Sequence, residues 1–233
     1  MPLRSKLINE IADLPKGVVN IVTGDGPIAG AVLVKSHDID KIAFTGSLEV
    51  GRSILKTAAE TNLKKVTLEL GGKSPNIFFP DADFEAAIDG ALFGVFFNQG
   101  EVCSAGSRVL VEKSSYKNFV EAMVEKAKRI KLGNGMDRIT KMGPLVSTEQ
   151  RDRVERFIMI GKQEGGRALL GGERPSGELA RGYFVVPTIF DNVDNDSRLG
   201  REEVFGPVVA IMPFENETEA VHINLNPNPI GWY

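Results

Sequence analysis

Apolar residues in this chain come in short runs broken by glycine, proline and asparagine. VVNIV (18–22), KIAFT (41–45), KVTLEL (65–70), PNIFFP (75–80) and RVLVE (108–112) are rich in β-branched and aromatic residues. Such runs, bounded by turn residues, predict buried strands. ALLGG (168–172), YFVVPTIF (183–190) and PVVAIMPF (207–214) are expected as further short strands. Between them the apolar positions recur at helical spacing. A helix is expected from Arg4 to Asp13, broken by Pro15 and Gly17, and another over AGAVLVKS (29–36). A third opens at GSLEVG (46–51) and runs to about Asn62. A fourth spans 84–97 and is capped by Asp83, whose carboxylate can accept from the first-turn N–H groups. Segments 114–131 and 147–164 are amphipathic and charged, with the loop 133–146 between them.

Strand, glycine turn, helix, strand is the βαβ order, which favours a parallel sheet with helices on its faces. The fold class expected is therefore α/β. The clearest boundary falls at Gly71-Gly72. It separates a partial Rossmann-type, dinucleotide-binding region (1–70) from an α/β region (71–233).

Composition narrows the function. The net charge is −3, with both signs spread along the chain, so no basic stripe marks a nucleic-acid partner. No apolar run reaches the roughly 18 residues that span a bilayer. The N-terminal segment is too polar for a signal peptide, so no membrane partner is expected. One cysteine excludes an intrachain disulfide framework and a Cys-based zinc site. Two histidines, His37 and His222, leave little for a His-rich metal site or a local Ser-His-Asp triad. A reducing, cytoplasmic compartment is expected.

Several short stretches could carry chemistry. GSLEVG follows a strand and opens a helix, where free N–H groups and the helix dipole attract a phosphate. Gly46 allows close backbone approach, and Ser47 adds a hydroxyl. The same stretch comes near the P-loop pattern, with Arg52 where lysine should stand. Ordinary helix capping, a dinucleotide phosphate and a P-loop all stay open on these residues alone. GDGPIAG (24–30) lies one residue off the dinucleotide fingerprint and is as compatible with a structural turn. In ELGGKSP (69–75) a strand ends on the carboxylate of Glu69, and two glycines clear space beside it. Such a group can serve as a general base.

The lone thiol, Cys103, lies in FFNQGEVCSAGSRVLV (96–111). A solitary cysteine is commonly an inert buried thiol. Here small polar residues surround it, as suits a thiol beside backbone N–H groups and able to act as a nucleophile. REEVFGPV (201–208) sets two carboxylates before an aromatic residue and a Gly-Pro turn. It reads as a loop or as a clamp on a cofactor's ribose and flat ring.

VTLELGGKSP followed by FFNQGEVCSAGSR resembles the aldehyde dehydrogenase superfamily. GVVNIVTGDGPIAG, KIAFTGSLEVG, GYFVVPTIF and EEVFGPV resemble further motifs of that family, in its order and spacing. The resemblance implies a nucleophile at Cys103 and a general base at Glu69. It also implies a pyrophosphate turn at Gly46, Ser47 and Gly51, with Gly26 and Gly30 near the adenosine half. Glu203 matches the carboxylate on the nicotinamide ribose, and Phe205 the aromatic beside the nicotinamide. The activity implied is oxidation of a small aldehyde to the acid with NAD, with NADP as the alternative. Homo-oligomers are the family's usual state.

Departures accompany the match. Family chains run past both ends of this one, so the adenosine-ribose contacts and the oxyanion asparagine of the family have no counterpart here. Glu101 stands where the family usually has glutamine, and a carboxylate near the thiol disfavours the thiolate. LNPNPIGW (225–232) resembles the family's ANxxPYGL with Ile230 in place of tyrosine. The resemblance thus implies a central fragment, weakly active or inactive in isolation. The reading from another class is a non-catalytic fragment that binds nucleotide or a partner subunit.

Overall fold

The structure, a computed structural model, describes residues 15–225. The helix expected over Arg4–Asp13 and most of LNPNPIGW lie outside these residues. The chain divides between Leu70 and Gly71 into two compact units, each described by itself.

The first unit is one βαβ repeat. A wide π-helical turn (Gly26–Gly30) leads into α1 (Ala31–Lys35), β1 (Lys41–Gly46), α2 (Leu48–Glu60) and β2 (Lys65–Leu70). β1 and β2 pair in parallel, with Thr45 opposite Glu69. Ile42, Phe44, Val66, Leu68 and Leu70 are half-buried, while the residues alternating with them are exposed. The period of two puts the apolar set on one face. α2 packs close through Gly51, where a Cβ would meet the Leu70 and Leu68 methyls at 3.0 and 3.3 Å. Beyond α2, Asn62 Nδ2 donates to the carbonyls of His37 and Ile39 at 3.0 and 3.1 Å. Lys64 Nζ donates to the carbonyl of Val34 at 2.6 Å. These bonds fix the loop between α1 and β1.

VVNIV (18–22) is not a strand. Val18 and Val22 are 61% and 67% exposed, and the local backbone bond is a turn from Val18 N–H to Pro15 O. A β-branched run becomes a strand only against a partner edge that pairs its N–H and C=O groups. Among the described residues of this unit, β1 and β2 pair only with each other.

The second unit holds a five-stranded sheet in the order β3-β4-β7-β6-β5. Its strands are β3 (Pro75–Phe78), β4 (Arg108–Glu112), β5 (Arg167–Leu170), β6 (Thr188–Asp191) and β7 (Val208–Phe214). Neighbours pair in parallel except β5, which runs antiparallel to β6. The helices are α3 (Phe84–Phe96), α4 (Lys113–Ala127), α5 (Thr148–Gln163), α6 (Arg198–Arg201) and α7 (Glu217–Leu225). Asp83, Ser147 and Ser197 cap α3, α5 and α6 by accepting from Ala86, Gln150 and Gly200 N–H.

The sheet is buried on both faces, so its central strands read as continuous apolar runs. Alternate residues enter two cores. Val109, Val111, Val209 and Ile211 pack with Ile88 and Val95 of α3 and Phe119 and Met123 of α4. Leu110, Val208, Ala210 and Met212 pack with Val154 and Phe157 of α5 and with Leu199. Each of these side chains larger than alanine contributes about 1.5–3 kcal/mol relative to exposure.

Two sequence expectations run too long. In YFVVPTIF only Thr188 onward is strand, because Pro187 offers no N–H to a ladder. Pairing starts where Thr188 N–H donates to Pro207 O at 2.9 Å. The helix expected to reach 131 ends at Ala127. Ile130 N–H bonds back to Ala127 O in a tight turn, and Leu132 bridges to Met142.

Candidate active site

Cys103 sits in the connection between α3 and β4. Its approach is unusual. Asn98, Gln99 and Gly100 have φ of 49°, 58° and 73°, three consecutive left-handed residues. Two of them are not glycine, so tertiary contacts hold the turn. Asn98 Nδ2 donates to Glu101 O at 3.0 Å, and Gln99 Oε1 accepts from Gly143 N–H at 3.4 Å. Gly100 lies so close to the next loop that a Cβ would stand 2.2 Å from Gly206 O.

The thiol then projects from a turn closed by Ala105 N–H on Val102 O at 3.1 Å. Cys103 is free and exposed. The far side of its loop is anchored. Gly106 N–H donates to Gly94 O of α3 at 3.1 Å, and Ala210 N–H of β7 donates to Ser107 O at 3.0 Å. Gly106 is buried against Asn76 of β3, where a Cβ would meet that side chain at 3.2 Å. A rigid base thus carries an exposed nucleophile. Glu101 does not lie free beside it: its Oε1 accepts from Val146 N–H at 3.2 Å. Burial raises its pKa, and the bonds from Val146 and Gln99 act against that rise.

Glu203 follows α6. Its Oε1 accepts from Gly72 N–H at 3.4 Å. The carboxylate fills the space a side chain at Gly71 would take, since a Cβ there would stand 2.0 Å from Oε2. Desolvation raises the Glu203 pKa, opposed by Gly72, Arg153 and Lys73. Phe205 is left-handed at φ 58°. Gln150 of α5 holds this backbone, its Nε2 donating to Phe205 O at 2.6 Å and Val204 O at 3.3 Å. Arg153, one turn on, donates to Glu203 O at 2.7 Å. Gly206 allows α5 to approach, because a Cβ there would lie 2.3 Å from Val154 Cγ2. The second unit therefore brings Cys103, Glu203 and Phe205 onto loops that meet at Gly100 and Gly206.

The remaining predicted residues belong to the first unit. Glu69 is exposed near the end of β2. Gly46 ends β1, and Ser47 caps α2, its Oγ accepting from Val50 N–H at 3.3 Å. Gly51 is the buried packing glycine of α2. Gly26 and Gly30 bound the π-helical turn, with open space around both. Sequence reasoning missed Gln150, Arg153 and Lys73. The first two lie on a charged helix where nothing local distinguishes them, and Lys73 stood beside a carboxylate and glycines that drew more notice.

The α/β fold thus presents the exposed Cys103 thiol on a loop that meets the Glu203–Phe205 loop. The aldehyde dehydrogenase family pattern matches residues 3–231, and this chain belongs to that family. It is 51% identical over 219 residues to an aldehyde dehydrogenase of Emericella nidulans, covering 94% of this chain and 43% of that one. It is 50% identical over 219 residues to the betaine aldehyde dehydrogenase of Bacillus subtilis, covering 94% and 44%. The NAD+ complex of aldehyde dehydrogenase from Bacillus cereus superposes with a TM-score of 0.92 at 50% identity, covering 96% of this chain and 45% of that chain. The chain thus spans less than half the length of these relatives.

Proposed function

We propose that this chain carries the nucleophile and part of the cofactor site of an enzyme that oxidises an aldehyde to a carboxylic acid with NAD. The observation that carries the reading is Cys103, an exposed thiol on a loop tied at both ends to the second unit's core.

Cys103 Sγ, as thiolate, bonds to the aldehyde carbon, and the carbonyl oxygen takes up the negative charge. The backbone N–H of Cys103 itself is one donor proposed for that oxygen. A bound NAD would supply the oxidising power as hydride acceptor, and Cys103 would then hold the carbon as a thioester. Glu69 takes a proton from water. The water oxygen then bonds to the thioester carbon as the C–S bond breaks, releasing the acid and restoring the thiolate.

The residues present suit such a cofactor. Glu203 accepts one long N–H bond, so most of its acceptor capacity is left for a ribose diol. Phe205 borders the nicotinamide in this reading. Gly46 and Ser47 take the pyrophosphate turn at the α2 N-terminus, Gly51 of the same motif packing that helix onto β2 rather than meeting the phosphate, and Gly26 and Gly30 flank the adenosine half. NAD is preferred to NADP because the Bacillus cereus structure is an NAD+ complex. A cytoplasmic homo-oligomer is the state proposed.

The test is NADH formation from an aldehyde and NAD by the chain and by Cys103→Ser, with intact-mass detection of an acyl adduct. A covalent aldehyde adduct in the parent, absent in Cys103→Ser, is expected, with NADH formation by the isolated chain weak or absent. Turnover that survives the substitution rejects the thiol mechanism.

A further inference from the structure

Lys73 is 3% exposed, and its Nζ has no hydrogen-bond partner. A buried ammonium without bonded partners is costly, so such a group marks an electrostatic arrangement rather than a surface charge. It follows Gly71 and Gly72, the two residues that receive the Glu203 carboxylate. Burial lowers the Lys73 pKa to about 7, and Arg108 adds to that effect, while Glu203 and Glu202 act the other way.

The other charges around it already have partners. Glu202 accepts from Arg198 Nε at 2.6 Å. Arg108 of β4 donates to Asn195 Oδ1 at 2.8 Å and to Ile223 O at 3.1 Å. Arg153 of α5 donates to the backbone oxygen of Glu203. Glu203, with one long bond to its carboxylate, is left as the anion that the Lys73 charge serves.

We propose that Lys73 is a positioning residue: its buried ammonium, acting through space without a direct bond, keeps ionised the Glu203 carboxylate that rests on Gly71–Gly72, ready to accept the hydroxyls of a cofactor ribose. The proposal rests on the ribose role given to Glu203 above. Below about pH 7 the ammonium is present and favours ionised Glu203. Above it, the amine is neutral and Glu203 loses its buried counter-charge.

The test is a carbon-13 NMR titration of the Glu203 carboxyl in the intact chain, assigned by its loss in Glu203→Gln. In Lys73→Met the midpoint of Glu203 is expected to rise by about one pH unit, whereas Lys73→Arg, which keeps the cation, leaves it in place. If Lys73→Met does not fold, the wild type and Lys73→Arg still decide the matter. The wild-type resonance is expected to show a second inflection near neutral pH that Lys73→Arg abolishes. A single-step titration unchanged by either variant overturns the proposal. Calorimetric NAD binding tests the ribose reading separately. Weaker binding in Glu203→Gln supports it, and in Lys73→Met the acid limb of NAD binding then moves up with the Glu203 midpoint. Unchanged NAD affinity in Glu203→Gln with the NMR coupling intact overturns the ribose half alone.

Discussion

Gly100, three residues before the thiol, lies directly against the carbonyl of Gly206, so close that a Cβ on Gly100 would stand 2.2 Å from that oxygen. The contact joins the cysteine loop to the Glu203–Phe205 loop. The obstacle is backbone, which cannot swing aside, and φ at Gly100 is +73°. Gly100→Ala combines a steric clash with left-handed strain. A loss of about 2–3 kcal/mol in stability is expected from strain and displacement together. Urea unfolding checks it, and Gly90→Ala, at a site with open space, is the control.

Cys103 is free and exposed on a structured turn. Alkylation of the native protein is therefore expected to add one label at a rate within about tenfold of the urea-unfolded chain. An unreactive native thiol, read by intact mass, contradicts this. A buried cysteine would show a far larger difference.

Gln150 bonds two consecutive carbonyls, of Val204 and Phe205, and so stabilises a left-handed phenylalanine. Gln150→Leu keeps the bulk and removes both donors. A loss of about 1–3 kcal/mol is expected, since both acceptors are left underused in a half-buried loop. Denaturant titration gives the number, and faster amide exchange at 203–206 locates the effect.

Asp191 ends β6 and accepts from the Tyr116 hydroxyl and the Arg167 guanidinium. Burial pushes its pKa up, but these bonds, with Asn192 N–H, hold it below the ordinary value of 3.8. The folded state thus binds this proton less readily than the unfolded chain. Its contribution is complete above about pH 4 and is lost as pH falls through the folded value. Asp191→Asn is expected to remove that part of the acid destabilisation, measured as the difference in unfolding free energy between pH 6 and pH 3.

Lys73 extends the same trend to alkaline pH. Its folded pKa is about 7 against an ordinary 10.5. Between those values the unfolded chain holds a proton that the folded chain does not, so stability rises with pH. The slope is at most about 1.4 kcal/mol per pH unit. Lys73→Met is expected to flatten stability between pH 7 and 9, and an unchanged slope rules this titration out.

Local chemistry was legible in the sequence where it needed no distant partner. RVLVE is a strand over the expected residues, and Asp83 caps its helix as read. The division at Leu70–Gly71 falls where two glycines interrupt the pattern. The small polar residues around Cys103 read as a loop rather than packed core, and the cysteine lies in an exposed turn. These features depend on side-chain periodicity, cap geometry and glycine content, all written within a few neighbouring positions.

Only the tertiary structure decided the rest. VVNIV has every local mark of a strand and is unpaired, because a strand is completed by another strand's hydrogen-bonding edge. Phe205 and Gln99 hold left-handed backbone that their side chains disfavour, stabilised by Gln150 and by the Gly143 amide from elsewhere in the chain. Lys73 looks like any motif lysine until burial removes its water and leaves Glu203 to answer its charge. Pairing, strain and desolvation are properties of segments brought together by folding, and no local pattern encodes them.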